Sequence, residues 1–159
     1  PLLDVSRAKI ESYATEHELT WVEDESNTDI SLTRNFLRHE ALAAITQRFP
    51  AAESALAQAA ANFSEAAGLL DDLAALDWQR ADEGGAARLP ALRALSLPRL
   101  KNLLRYRLRC LEWQVPVATR LDEFARQLQT AAPDRHPELL LPDGKMRAAR
   151  GLLHWLPEK

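Results

Sequence analysis

The sequence predicts a mainly α-helical chain, bundle-like around one long helix, that closes on a small C-terminal β-hairpin. Three observations carry this expectation. Leu and Ala dominate the apolar residues while Ile and Val are scarce, and unbranched side chains lose little freedom in a helix. Between Ala51 and Asp77, Leu56, Ala60, Phe63, Ala67, Leu70 and Ala74 recur in steps of four and three, the spacing of one helix face. Near the end, Asp143-Gly144 separates two apolar segments, Glu138 to Leu141 and Met146 to Trp155, which is a hairpin signal.

The other elements follow in order. Asp4 or Ser6 caps a first helix reaching about Glu16. Leu19 to Val22 is extended in character, and Glu23 to Asp29 is a polar loop. A second helix is predicted from about Leu32 to Arg48, with Leu37, Ala41, Ala44 and Ile45 on its apolar face, and Pro50 ends it or begins the next. The long helix reads as a bundle helix, since its repeat is short and rich in Ala for a zipper. Asp82-Glu83-Gly84-Gly85 breaks the chain, and Leu89 to Leu95 reads as a short strand or extended connection. Ser96 caps a helix with Pro98 in its first turn, reaching about Trp113. A last helix spans about Thr119 to Thr130.

Composition limits the function classes. The chain has 159 residues, 47% hydrophobic and 27% charged, with a net charge of −3 and a pI near 5.8. It is therefore not a uniformly basic nucleic-acid binder. A lone Cys110 gives neither a disulfide nor a zinc pair and reads as a packed, inert thiol in a reducing compartment. No apolar run approaches the roughly 20 residues a membrane helix needs. The N-terminus has neither signal-peptide character nor an initiator Met, and reads as the start of a piece of a longer chain. His17, His39, His136 and His154 lack metal-ligand spacing, and no Walker, dinucleotide, nucleophile-elbow or HExxH motif occurs.

Three groups of residues can carry chemistry. Trp21 to Asp29 is followed by Arg34-Asn35-Phe36-Leu37-Arg38-His39. On a helix, Arg34 and Arg38 share a face, as do Asn35 and His39. Acids beside paired guanidinium groups form either a substrate-orienting network or a loop-to-helix clamp. The second group is Arg99, Lys101, Arg105, Arg107 and Arg109, with no acid between them. With Leu100, Leu103, Leu104, Leu108 and Leu111 facing inward, Lys101, Arg105 and Arg109 lie outside. There they either meet phosphate oxygens or form a solvated face balanced by Asp71, Asp72 and Asp77. Arg107 falls on the apolar side, where it snorkels or pairs with an acid. The third group, Lys145, Arg147 and Arg150 near Trp155, either grips a nucleic-acid backbone or flanks a tryptophan of the core.

Read together, Pro1 to Arg7, then Trp21-Val22-Glu23-Asp24-Glu25-Ser26-Asn27 with Asp29, then Arg34 to His39 closely resemble the tRNA(Ile)-lysidine synthetases. The motif is specific over residues 1–50; beyond that the resemblance rests on helix order, the arginine-rich helix and the hairpin. It implies a parent ATP-dependent carbon–nitrogen ligase, cytoplasmic, that uses ATP with Mg to activate the wobble cytidine of a CAU-anticodon tRNA(Ile). Free lysine then attacks the adenylated base, changing the tRNA from Met to Ile identity. The family cradles ATP in an SGGxDS loop that this sequence lacks, so the resemblance implies a piece that is inactive and binds no cofactor alone.

By the same resemblance, residues 1–48 are the tail of an ATP-pyrophosphatase-type catalytic domain and linker helix. Residues 49–159 are a helical tRNA-binding domain with the terminal hairpin. Asp24, Asn27, Arg34 and Arg38 then support the active-site wall, Arg34 or Arg38 touching a nucleotide or RNA phosphate. Glu25 stands where the family commonly has proline, which leaves the loop less rigid. Arg99, Lys101, Arg105, Arg109, Lys145, Arg147 and Arg150 are the expected tRNA contacts. Two other classes remain open. A structural spacer without RNA contact predicts internal pairing of the cations from Arg99 to Arg109. A protein-interaction module predicts an exposed apolar seam from Leu56 to Ala74 and self-association.

Overall fold

The structure, a computed structural model, describes residues 5–22, 24–132 and 135–158, and no side chain at Glu25. The proposed cap Asp4, the start of the N-terminal motif and Glu23 lie outside the described residues. The chain divides into two compact units, Pro1–Gln58 and Ala59–Lys159.

In the first unit, α1 (Arg7–Glu16) is capped by Ser6, whose hydroxyl accepts the Lys9 amide at 3.3 Å. A 3-10 turn, Glu25–Thr28, follows. The predicted second helix is observed as α2 (Thr33–Phe36), a π-helical turn (Leu37–Ala41) and α3 (Leu42–Arg48) in direct succession. A π-turn inserts one residue per turn and so rotates every later side chain.

The long helix, α4 (Ala52–Ala81), runs one turn past its predicted end. Its apolar seam is only partly covered. Ala74 is buried, while Leu56, Phe63 and Leu70 are 56%, 76% and 50% exposed. The expected bundle packing is thus confined to the last turns of α4.

The core of the second unit lies between helices and a five-stranded antiparallel sheet. The expected chain break is a tight hairpin, β1 (Asp82–Glu83) and β2 (Ala86–Arg88). Gly84 and Gly85 take φ of 62° and 89°, the left-handed pair that a two-residue turn requires. The stretch expected to be extended from Leu89 is instead α5 (Leu89–Arg93). Pro90 sits in its first turn, where the missing amide costs nothing and φ is already helical. Next come α6 (Leu97–Cys110) and α7 (Ala118–Thr130). Each is amphipathic, burying Leu100, Leu103, Leu104 and Leu108 from α6 and Leu121, Phe124, Ala125 and Leu128 from α7. Cys110, expected to be packed, is exposed because it ends α6 away from that leucine face.

The predicted hairpin is a three-stranded meander. β3 (Glu138–Leu141) pairs with β4 (Gly144–Ala149), and β4 pairs with β5 (Leu152–Pro157). The apolar segment from Met146 breaks at Arg150-Gly151, both at positive φ, and folds back. The strand order is β1-β2-β5-β4-β3. Leu139, Leu141, Met146, Ala148 and Leu153 alternate onto the core face. At the outer edge, the Arg120 guanidinium of α7 donates to the Leu140 carbonyl at 2.8 Å. Among the described residues no helix is long and apolar enough to cross a membrane.

Candidate functional site

The sequence motif of the first unit folds as a clamp. Asp24 opens the 3-10 turn by accepting the Ser26 amide at 2.9 Å. That amide, with the Ser26 hydroxyl, holds the Asp24 carboxyl below the usual carboxylate range. Asp29 does the same with Ser31, accepting its amide at 2.9 Å, and its carboxyl is also lowered. The loop is fastened to the helix by Asn35, which is 5% exposed. Its Nδ2 donates to the Ser26 carbonyl at 2.7 Å and the Asp29 carbonyl at 2.9 Å. One turn on, His39 Nε2 lies 3.2 Å from the Asn27 carbonyl. The shared face of Asn35 and His39 is thus the loop-facing one. Arg34 and Arg38 are exposed and form no ion pair with any other described residue.

Asn35→Ala removes both anchors. The loss of two buried donor contacts is expected to cost about 1–3 kcal/mol locally. Hydrogen exchange at the Asn27 amide, which donates to the Asp24 carbonyl at 3.0 Å, should quicken. Unchanged exchange there would mean that the turn stands without its clamp.

In the second unit the arginine-rich α6 faces a set of acids. Arg99 forms a two-pronged pair with Asp77, Nε to Oδ2 at 3.0 Å and Nη2 to Oδ1 at 2.5 Å. The Asp77 side chain is 1% exposed and that of Arg99 40%. The pairing raises the Arg99 pKa above its ordinary value. Lys101 Nζ lies 2.9 and 3.0 Å from the two Asp122 oxygens, and this bond holds the Asp122 carboxyl low. Arg109 pairs with Asp71. Asn102 adds a bond to the Leu70 carbonyl at 2.6 Å. These contacts fasten α6 to α4 and α7. Arg105 is half-buried and is the α6 cation of the predicted set without a described carboxylate partner in ion-pair range.

Arg107 neither snorkels nor pairs with an acid. Its guanidinium stacks 3.8 Å above the Trp78 ring and lies 5.7 Å from Trp155. The two tryptophans meet edge-on, with ring centroids 5.5 Å apart at 81°. Trp155 is half-buried against the core. The sequence signal for this cluster is Arg107 on the leucine face of α6.

On the sheet, Lys145 and Arg147 both approach Glu138 Oε2, at 3.2 and 3.7 Å. Arg147 and Glu138 are directly opposed across β3 and β4. Arg150 stands apart, exposed in the β4–β5 turn at φ 52°.

Comparison with known proteins gives a consistent result. Residues 1–45 match the model of a PP-loop domain, and residues 88–154 match that of the TilS substrate binding domain. The chain is 41% identical over 157 residues to a tRNA(Ile)-lysidine synthase of Nitrosomonas europaea, covering 99% of this chain and 34% of that protein. It is 46% identical over 145 residues to one from Aromatoleum aromaticum, covering 91% and 33%. It is 37% identical over 164 residues to one from Pseudomonas fluorescens, covering 98% and 37%. The chain thus spans about a third of the length of the curated relatives it matches.

Proposed function

We propose that this chain, which belongs to the tRNA(Ile)-lysidine synthase family, supplies the part of such an enzyme that positions tRNA. In this reading the whole enzyme is a cytoplasmic ligase. It uses ATP with Mg to join free lysine to the wobble cytidine of tRNA(Ile) with a CAU anticodon. Residues 1–48 close its catalytic domain and residues 49–159 hold the RNA. The single observation that carries the reading is the match of residues 88–154 to a substrate binding domain. Those residues build α5 to α7, β3, β4 and the first half of β5 around one core.

The residues present do not fit an ATP cradle. None of the five glycines stands in an SGGxDS arrangement. Asp24 and Asn27 shape the loop, and Arg34 and Arg38 are the groups it offers to a phosphate. The task of the second unit is positional: an RNA held in a fixed pose brings one base to a distant reacting centre. A second reading, a spacer that touches no RNA, is favoured by the internal pairing of Arg99, Lys101 and Arg109.

A salt-dependent titration with tRNA(Ile) beside the elongator methionine tRNA separates the two. RNA positioning predicts binding that weakens by roughly 0.7–0.9 log units per log salt for each phosphate contact, and weakens further for Arg105→Ala. Absence of binding by a folded sample at low salt would favour the spacer. A difference between the two tRNAs would place discrimination in these residues.

A further inference from the structure

The paired cations of α6 and β4 contrast with a second basic cluster that the sequence reading did not assemble. A cavity of about 290 Å³ opens between α5, the β4–β5 turn and the segment after α7, with Leu89 and Pro90 on one wall. Among the described residues, its charged or titratable lining residues are Arg93, Arg135, His136 and Arg150, without a carboxylate among them. Among the described residues, none of the three guanidinium groups has an acid in ion-pair range. In a chain of net charge −3, such a concentration of positive charge attracts anions.

The cluster is also built, not merely exposed. Arg93 donates Nε to the Leu128 carbonyl at 2.9 Å and Nη2 to the Ala131 carbonyl at 3.0 Å. These bonds cap the end of α7 and fix the guanidinium in place. A guanidinium has five N–H donors, so Arg93 keeps donors for a ligand and keeps its whole charge. The Arg135 amide bonds the Ala132 carbonyl at 2.9 Å, and the Pro137 carbonyl accepts the Ala148 amide at 2.9 Å. The chain is thus fastened on both sides of His136. The Leu89 amide bonds the Gly151 carbonyl at 2.8 Å, joining α5 to the turn that carries Arg150. That turn has two residues at positive φ, Arg150 at 52° and Gly151 at 80°. Asn, Asp or Gly suits its first position best. An arginine there accepts backbone strain and gains a cation at the rim of the cavity.

We propose that this cavity seats a backbone phosphate of RNA, with Arg135 and Arg150 as its ligands and Arg93 as a fixed charge behind them. Arginine suits the task, since its planar fork matches phosphate oxygens. Among the described residues, the lining apart from His136 offers no aromatic surface for a base, so the contact is with the backbone and independent of sequence. The inference rests on the tRNA-positioning reading and extends it to Arg93 and Arg135, which join Arg150 in one cavity.

The test is a salt titration of tRNA(Ile) with the full-length protein, comparing wild type, Arg150→Asn, and Arg135→Gln combined with Arg150→Asn. Asparagine suits the turn, so thermal unfolding of the single variant should occur no lower than in wild type. The double variant should bind more weakly, with a salt slope smaller by roughly 0.7–0.9, and equally so for cognate and non-cognate tRNA. Wild-type binding with an unchanged slope and affinity in the double variant would overturn the phosphate seat and leave tRNA positioning intact. No binding by wild type would overturn both.

Discussion

Gly144→Val should unfold the sheet side of the second unit at a far lower temperature than any surface change. A Cβ at Gly144 would fall 2.8 Å from Pro157 Cα and 2.8 Å from Trp113 Cη2, and would collide with the Leu156 carbonyl oxygen. Two of these obstacles are backbone atoms of the paired strand, since Gly144 lies opposite Pro157. The site cannot relax by a rotamer change. Asp143 holds it from the other side, accepting the Gln114 amide at 2.7 Å through Oδ2 and the Glu158 amide at 3.0 Å through its carbonyl. Backbone strain and overpacking together should cost about 3–5 kcal/mol, or a melting temperature lower by at least about 10 °C for a unit of this size. Gly84→Ala is the control: φ there is 62°, but nothing lies within 4 Å of the added carbon, so only the left-handed penalty of about 1–2 kcal/mol applies. Equal losses at the two positions would refute the steric account.

Arg107→Ala should destabilise the second unit strongly. The guanidinium fills the space against Trp78 and Trp155, and a desolvated cation–π contact is worth about 2 kcal/mol. Truncation also leaves a void beside two indoles. The expected loss is about 2–4 kcal/mol, with altered tryptophan fluorescence from the ring pair. Arg107→Met should cost less. It fills the void, and it removes a buried Nε that has no hydrogen-bond partner. If Arg107→Ala melts with wild type and leaves fluorescence unchanged, the stack contributes nothing to stability. A loss of tRNA affinity in a folded Arg107→Ala protein would show that this cation has a second role.

How much of this the sequence disclosed depends on the range of the interaction. Helix periodicity is local, and α6 buries Leu100, Leu103, Leu104 and Leu108 of the leucines that spacing selects, while Leu111 follows the helix end and is half-buried. The Asp-Gly signal located the β3–β4 reversal, but the second reversal was missed. Arg150-Gly151 holds a residue that does not favour left-handed backbone, and the turn is enforced by strand pairing between Ala149 and Leu152. Leu89 to Leu95 reads as a short strand or extended connection, whereas Pro90 is the local sign of a helix start. The clamp of Asn35 and His39 was foreseeable from their shared helix face. Which carbonyls they reach depends on the loop path, and that is not a property of spacing. The roles of the cations were least legible. Arg99 and Arg150 look alike in sequence; one meets Asp77 across 22 positions and the other lines a cavity formed by three separate segments.

The guanidinium of Arg120 on the Leu140 carbonyl bears on behaviour in concentrated solution. β3 is an outermost strand, and an outermost strand with open amides and carbonyls is a template on which another chain can polymerise. Here it is four residues long, lies between Pro137 and Pro142, and has an outward carbonyl already taken by a charged side chain. The opposite margin of the sheet, β1, consists of only Asp82 and Glu83, whose like charges repel a second copy of themselves. Neither border offers a zipper for fibril growth. Removing the block with Arg120→Ala would reopen one of them, and slow turbidity at high protein concentration would be its sign.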